Sequence, residues 1–117
     1  MPRLVAAPVR FPDPRGVVID EYVGAAATSS SEVSVAVLVS PPDWREPAQT
    51  PEFDEITVVL EGRLVVEHDG GQLAVVAGQA VQTFRGERVA YLTGAEGARY
   101  VAVCLPAFTP EGSRREE

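Results

Sequence analysis

The sequence predicts an all-β domain of antiparallel hairpins, a sandwich or barrel, on three observations. Ten prolines and ten glycines in 117 residues cut the chain into short pieces, which favours brief strands over long helices. Segments rich in β-branched residues recur at strand length. Turn-forming clusters separate them closely, the pattern of hairpins rather than of parallel strands joined by helices.

The first predicted strand, Val17 to Val23, is followed by the turn cluster Thr28-Ser-Ser-Ser31. In the next, Glu32 to Val39, the valines at 33, 35, 37 and 39 alternate with Ser34, Ala36, Leu38 and Ser40. Pro41-Pro-Asp43 closes it, and the proline-rich stretch to Pro51 is read as an ordered loop crossing one barrel end. Six further strands are predicted over Glu55 to Leu60, Arg63 to His68, Gln72 to Val76, Ala80 to Phe84, Arg88 to Leu92 and Arg99 to Leu105. Turns are expected at Glu61-Gly62, Asp69-Gly-Gly71, Arg85-Gly-Glu87 and Gly94 to Gly97. Residues 111–117 are charged and carry no large apolar side chain, so this tail is expected to fray. With no internal repeat, residues 1–117 are read as one domain. Ile56, Val58 and Leu60 form an apolar stripe on the face opposite Glu55, Thr57 and Val59. A helix-poor chain has little to cover that stripe with, which predicts a homodimer.

A net charge of −7 and a pI near 4.7 argue against nucleic acid and anionic membranes as partners. The apolar run in Met1 to Arg10 is interrupted by Pro8 and too short for a signal-peptide core, so a cytoplasmic location is expected. Cys104 and His68 are the only residues of their types, so one chain builds neither an internal disulfide nor a Cys/His zinc cluster. Cys104 lies in the apolar run Tyr100 to Leu105 and is read as an inert core thiol; His68, beside a turn, is read as solvent-facing. No dinucleotide fingerprint and no phosphate-binding Walker loop is present, so no cofactor is predicted.

The run Asp54-Glu-Ile-Thr-Val-Val-Leu-Glu-Gly62, followed by a strand, Asp69-Gly-Gly71, another strand and Ala77-Gly78, resembles a cupin. Glu55 and Gly62 match the last two members of the first cupin motif, G-x5-H-x-H-x3,4-E-x6-G. Gly78 and Gly86 match the glycines of the second, G-x5-P-x-G-x2-H-x3-N. The histidines do not follow: their positions hold Gln49 and Pro51, or Ala48 and Thr50 with the longer gap, and Val89. Phe84 and Thr93 replace the proline and asparagine. Within the superfamily the chain is similar to the ethanolamine-utilisation Q-type cupins, which also lack the histidine set. The resemblance spans roughly Ser34 to Pro110 and implies an antiparallel jelly-roll barrel without a metal.

It also implies that Glu55 points into the barrel as the surviving ligand position. Buried there, its carboxyl either is anchored by Arg or backbone donors or acquires a raised pKa suited to proton transfer. Trp44 is a candidate flat wall for a ligand or a plug for the barrel end. Gln49 is a candidate hydrogen-bonding partner for a substrate carbonyl, while Glu46, Glu52 and Asp54 are read as solvated rim charges. Tyr91 shares a face with Val89 and is a candidate for the cavity lining, with Tyr100 a second. The functional expectation is a metal-independent cupin that binds a small organic ligand, with Glu55 as catalyst of isomerase, lyase or cyclase chemistry. The alternative is a non-catalytic ligand-binding or scaffold cupin.

Overall fold

The structure, a computed structural model, describes residues 1–116. A short edge strand β1 (Val9–Phe11) precedes β2 (Val18–Val23), the one-turn helix α1 (Ala25–Thr28) and β3 (Ser34–Ser40). Two long strands, β4 (Asp54–His68) and β7 (Ala90–Leu105), bracket β5 (Gly71–Val76) and β6 (Ala80–Thr83). The turn α2 (Pro110–Ser113) ends the succession. All ladders are antiparallel and follow the order β1-β2-β3-β7-β4-β5, with β6 also on β4. The expected antiparallel fold is thus present as a sheet that curls around its core without closing its ladder into a complete ring.

Side-chain alternation explains the wrapping. Thr57 and Val59 on β4, Val81 and Thr83 on β6, and Val89, Tyr91, Ala98, Tyr100 and Cys104 along β7 and its approach are all buried. Leu64, Val66 and Val75 fill the other half of the barrel, with Leu64 0% exposed. A buried leucine of this kind contributes roughly 2 to 3 kcal/mol through apolar burial alone.

Four expected strands are two. The segments on either side of Glu61-Gly62 form β4, and those on either side of Gly94 to Gly97 form β7. The glycines bend the strands instead of ending them: pairing slips between Val59 and Glu61 and again between Gly62 and Leu64. Gly62 has φ 78°, and a Cβ there would stand 2.2 Å from the Gly97 carbonyl oxygen. Gly97, with φ 69°, makes the same close approach to the Ser40 carbonyl oxygen.

The tail also departs from expectation. Thr109 caps α2 by accepting from the Gly112 N–H at 2.9 Å, and Gly112 and Ser113 are buried. The Glu116 N–H donates to the Ala48 carbonyl at 2.7 Å, and Arg115 bridges to Gln49. Its charges, which suggested fraying, find partners on the neighbouring loop; Glu117 lies outside the described residues. Among the described residues no helix is long and apolar enough to cross a membrane.

Candidate functional site

The loop from Trp44 to Gln49 brings the site together. It lies antiparallel along the start of β7: the Thr93 N–H donates to the Trp44 carbonyl, and the Glu46 N–H to the Tyr91 carbonyl. Gln49 and Val89 exchange both backbone hydrogen bonds, at 2.8 and 2.9 Å. Arg45, opposite Leu92, faces outward to Glu67, so its neighbours Trp44 and Glu46 turn inward. Pro47 interrupts the alternation, and Gln49 returns to the side of Glu46, whose Oε1 accepts from its Nε2 at 3.3 Å.

On β4, Glu55 pairs with Thr83 on one flank and Cys104 on the other, and Cys104 pairs in turn with Ser34. This row crosses the inner face. Glu55 is half-buried, with its carboxyl enclosed by the barrel wall. Thr57 Oγ1 donates to it at 3.4 Å. Among the described residues no arginine reaches it, so the expected anchoring by Arg is not what holds it. Burial raises its pKa to about 7, against hydrogen bonds from Thr57 and Cys104.

Glu46, read from the sequence as a rim charge, is enclosed, with its side chain 12% exposed. Burial raises its pKa to about 8; Arg115 and Arg15 oppose the rise, and Glu55 and Asp13 add to it. The other two acids are where they were expected, Asp54 outside against Arg85 at 3.2 Å and Glu52 exposed, 3.7 Å from Arg114. The signal for Glu46 lay in the alternation Trp44, Arg45, Glu46, legible only once the loop is known to pair with β7.

Tyr91 and Tyr100 are both buried in the core cluster, as is Trp44. Tyr91 shares a 3.2 Å hydrogen bond with Thr83, and Tyr100 one of 2.7 Å with Ser40. Burial pushes both phenols up, and the Glu46 and Glu55 carboxyls push further in the same direction. Cys104 is buried, and its thiol is raised first by burial and then by Glu55, which suits the core role read from the sequence. His68 is exposed and accepts the Gly70 N–H at 3.1 Å. Glu21, a further buried acid, is already engaged, since its carboxylate accepts the Ala26 and Ala27 N–H groups at the start of α1.

Among the described residues two buried side-chain polar atoms have no partner, the Trp44 Nε1 donor and the Gln49 Oε1 acceptor. Leaving such groups unmatched costs about 1 to 3 kcal/mol each. A ligand or a water that supplies one acceptor and one donor would satisfy both. Two surface recesses, of about 270 Å³ beside Arg45 and Arg88 and about 220 Å³ beside Ser29 to Ser31, lie outside this cluster.

The donor set does not fit a transition metal. Pro51 and Val89 offer no ligand atom and Gln49 only a weak amide donor, which leaves Glu55 as the single strong donor among the motif positions. Among the described residues no three His, Cys, Asp or Glu side chains converge on a point.

The family model for ethanolamine utilisation protein EutQ matches residues 27–109. A 107-residue stretch is 45% identical to an endoribonuclease YbeY of Myxococcus xanthus, covering 91% of this chain but 36% of that protein. An ethanolamine utilization protein Q from Salmonella typhimurium superposes with TM-score 0.67 at 24% identity, over 86% of this chain and 80% of that one. An RmlC-like cupin from Shewanella frigidimarina gives TM-score 0.72 at 13% identity, over 86% and 85%. With a family model matched over most of its length and a cupin sheet beneath it, the chain belongs to the EutQ family of small cupins.

Proposed function

We propose that the chain is a metal-independent cupin that holds a small organic molecule in the barrel mouth and moves a proton on it with Glu55. The observation that carries this reading is the pair of unpartnered buried atoms, Trp44 Nε1 and Gln49 Oε1, beside two carboxyls whose pKa values lie near neutrality. A carboxyl near 7 works as acid or base at physiological pH. Glu46, near 8, is the more strongly protonated partner and suits the donor's role. Trp44, Gln49, Tyr91 and Tyr100 would shape and orient the ligand. A small carbonyl compound is the ligand class that such a donor and acceptor pair would hold.

The ribonuclease name of the Myxococcus relative belongs to a protein of which this chain matches 36%. A net charge of −7 and a single exposed histidine give no support to RNA cleavage here. A cytoplasmic setting accords with a lone unpaired Cys104. A scaffold reading draws on one observation: both recesses lie away from Glu55, and Trp44, Tyr91 and Tyr100 are core members.

Proton transfer is tested by incubating the protein in deuterated water with small ketones, aldehydes and hydroxy acids, following C–H to C–D exchange by NMR. Wild type is expected to catalyse exchange on at least one, and Glu55→Gln to lower that rate by roughly 10²-fold while the chain still folds. Saturable binding without exchange would leave a binding protein. Neither binding nor exchange would favour the scaffold.

A further inference from the structure

The carboxyl and orphaned polar atoms of the barrel mouth lie on a loop that is itself tied down by the chain's C-terminal segment. Its backbone bonds and two of its ion pairs fall on residues 46 to 52. The Glu52 N–H donates to the Gly112 carbonyl at 2.8 Å, and the Glu116 N–H to the Ala48 carbonyl at 2.7 Å. Arg115 forms a bridge with Gln49, and its Nη2 stands 3.5 Å from Glu46 Oε2. Arg88 then holds Glu116 by a two-pronged pair at 2.7 and 2.9 Å.

The two ends of this segment are held in different ways. From Thr109 to Ser113 it is a packed element: Thr109 caps α2, Ser113 is 3% exposed, and Phe108 meets Phe53 edge-on at 5.7 Å. From Arg114 onward it has backbone bonds to one strand of loop, two exposed ion pairs, Arg88–Glu116 at 57% and 47% and Arg114–Glu52 at 61% and 64%, and the contact of Arg115 with the enclosed Glu46. Exposed pairs of this kind are individually weak and fade with salt. The boundary between the two regimes is Arg114, a non-glycine residue at φ 50°. Left-handed backbone at an arginine is disfavoured, and such positions persist where the surroundings enforce them.

We infer that residues Arg114 to Glu116 form a latch over the barrel mouth, hinged at Arg114 and fastened by the contact of Arg115 with the Glu46 carboxyl and by the ion pair of Arg88 with Glu116, which opens to admit the ligand. The assignment of a ligand rests on the proposed function; the latch itself does not. Arg115 is a positioning residue in this scheme, because it acts through Glu46. Its side chain is 34% exposed, the most enclosed arginine among the ion pairs described.

Trp44 is the only tryptophan, so its indole N–H is a single resolved NMR reporter inside the mouth. Its hydrogen exchange is compared with that of the Leu64 and Val66 amides in the opposite half of the barrel, for wild type, Arg115→Gln and Arg88→Gln, at low salt and in 1 M sodium chloride. Each substitution, and salt acting on wild type, is expected to speed indole exchange by roughly three- to tenfold while the two amides keep their rates. Indole exchange unchanged in both variants and in salt would overturn the latch. So would equal acceleration of the indole and the core amides, which would mean general loosening. A responsive indole together with a protein that binds none of the small carbonyl probes would keep the latch and discard the ligand reading.

Discussion

Six carboxyls of this protein fall into two groups with opposite responses to pH. Asp20, Asp54, Glu67 and Glu116 are each held below their ordinary range by an arginine, so the stability they contribute is present at neutral pH and lost on acidification. Glu46 and Glu55 are lifted by burial to about 8 and about 7, so the folded chain keeps protons that the unfolded chain has released. Stability from these two is therefore full below about 4.5 and falls as pH rises through about 8, by on the order of a few kcal/mol. Thermal melting is expected to peak in mildly acidic buffer and to decline towards pH 9. Glu46→Gln and Glu55→Gln should each flatten that decline, and Glu55→Gln should melt above wild type at pH 8. A melting temperature that holds level from pH 5 to pH 9 would contradict the burial of both groups. Glu55 was legible because its distance to Gly62 is fixed along one strand. Glu46 was not, because its burial depends on Thr93 and Tyr91, residues more than forty positions away that the loop meets only in the folded chain.

At the scale of elements, glycines carry the part of the fold that the sequence concealed. The alternation of apolar residues placed most strands correctly, and it separated the inner face of Glu55, Thr57 and Val59 from the outer face of Ile56, Val58 and Leu60. It could not tell a hairpin turn from a bend, since Gly62 and Gly97 suit either and only the partner strand decides. The two roles differ in what a methyl group would meet. Gly78, at φ 87°, has nothing within 4 Å, whereas the space beside Gly62 is filled by backbone. Gly78→Ala is expected to cost about 1 to 2 kcal/mol from its left-handed conformation alone. Gly62→Ala should lose roughly a further 1 to 3 kcal/mol, because backbone must move. Denaturant melts of the two variants check the difference, and equal losses would mean that the bend of β4 relaxes freely. The packed tail escaped notice for a related reason: its fastenings are charges and backbone groups, which look the same in a solvated tail.

The molecule as a whole presents an apolar outer face spanning three strands. Val35, Val103 and Ile56 lie side by side across β3, β7 and β4, and Val37, Val101 and Val58 form the next row. Val58 is 36% exposed and Leu60 39%. Two such faces pack well against each other, since flat sheet surfaces of like composition interdigitate about 10 Å apart. A second copy of the chain is the expected occupant, and sedimentation at micromolar concentration should give twice the 12.5 kDa chain mass. Val58→Glu should shift the protein to monomer without unfolding it; a wild-type monomer would remove the second copy. The strand order has its own consequence for synthesis. The sheet's two middle partners are β4 and β7, and β7 joins β3 to β4, pairing Ser34 with Cys104 and Glu55 with the same cysteine. While the chain leaves the ribosome, the edges of β3 and β4 that face β7 therefore stay open until β7 emerges. Through that interval the nascent chain has apolar strands without partners, so a chaperone that shields them would act on the last strand's delay more than on any weakness of the finished fold.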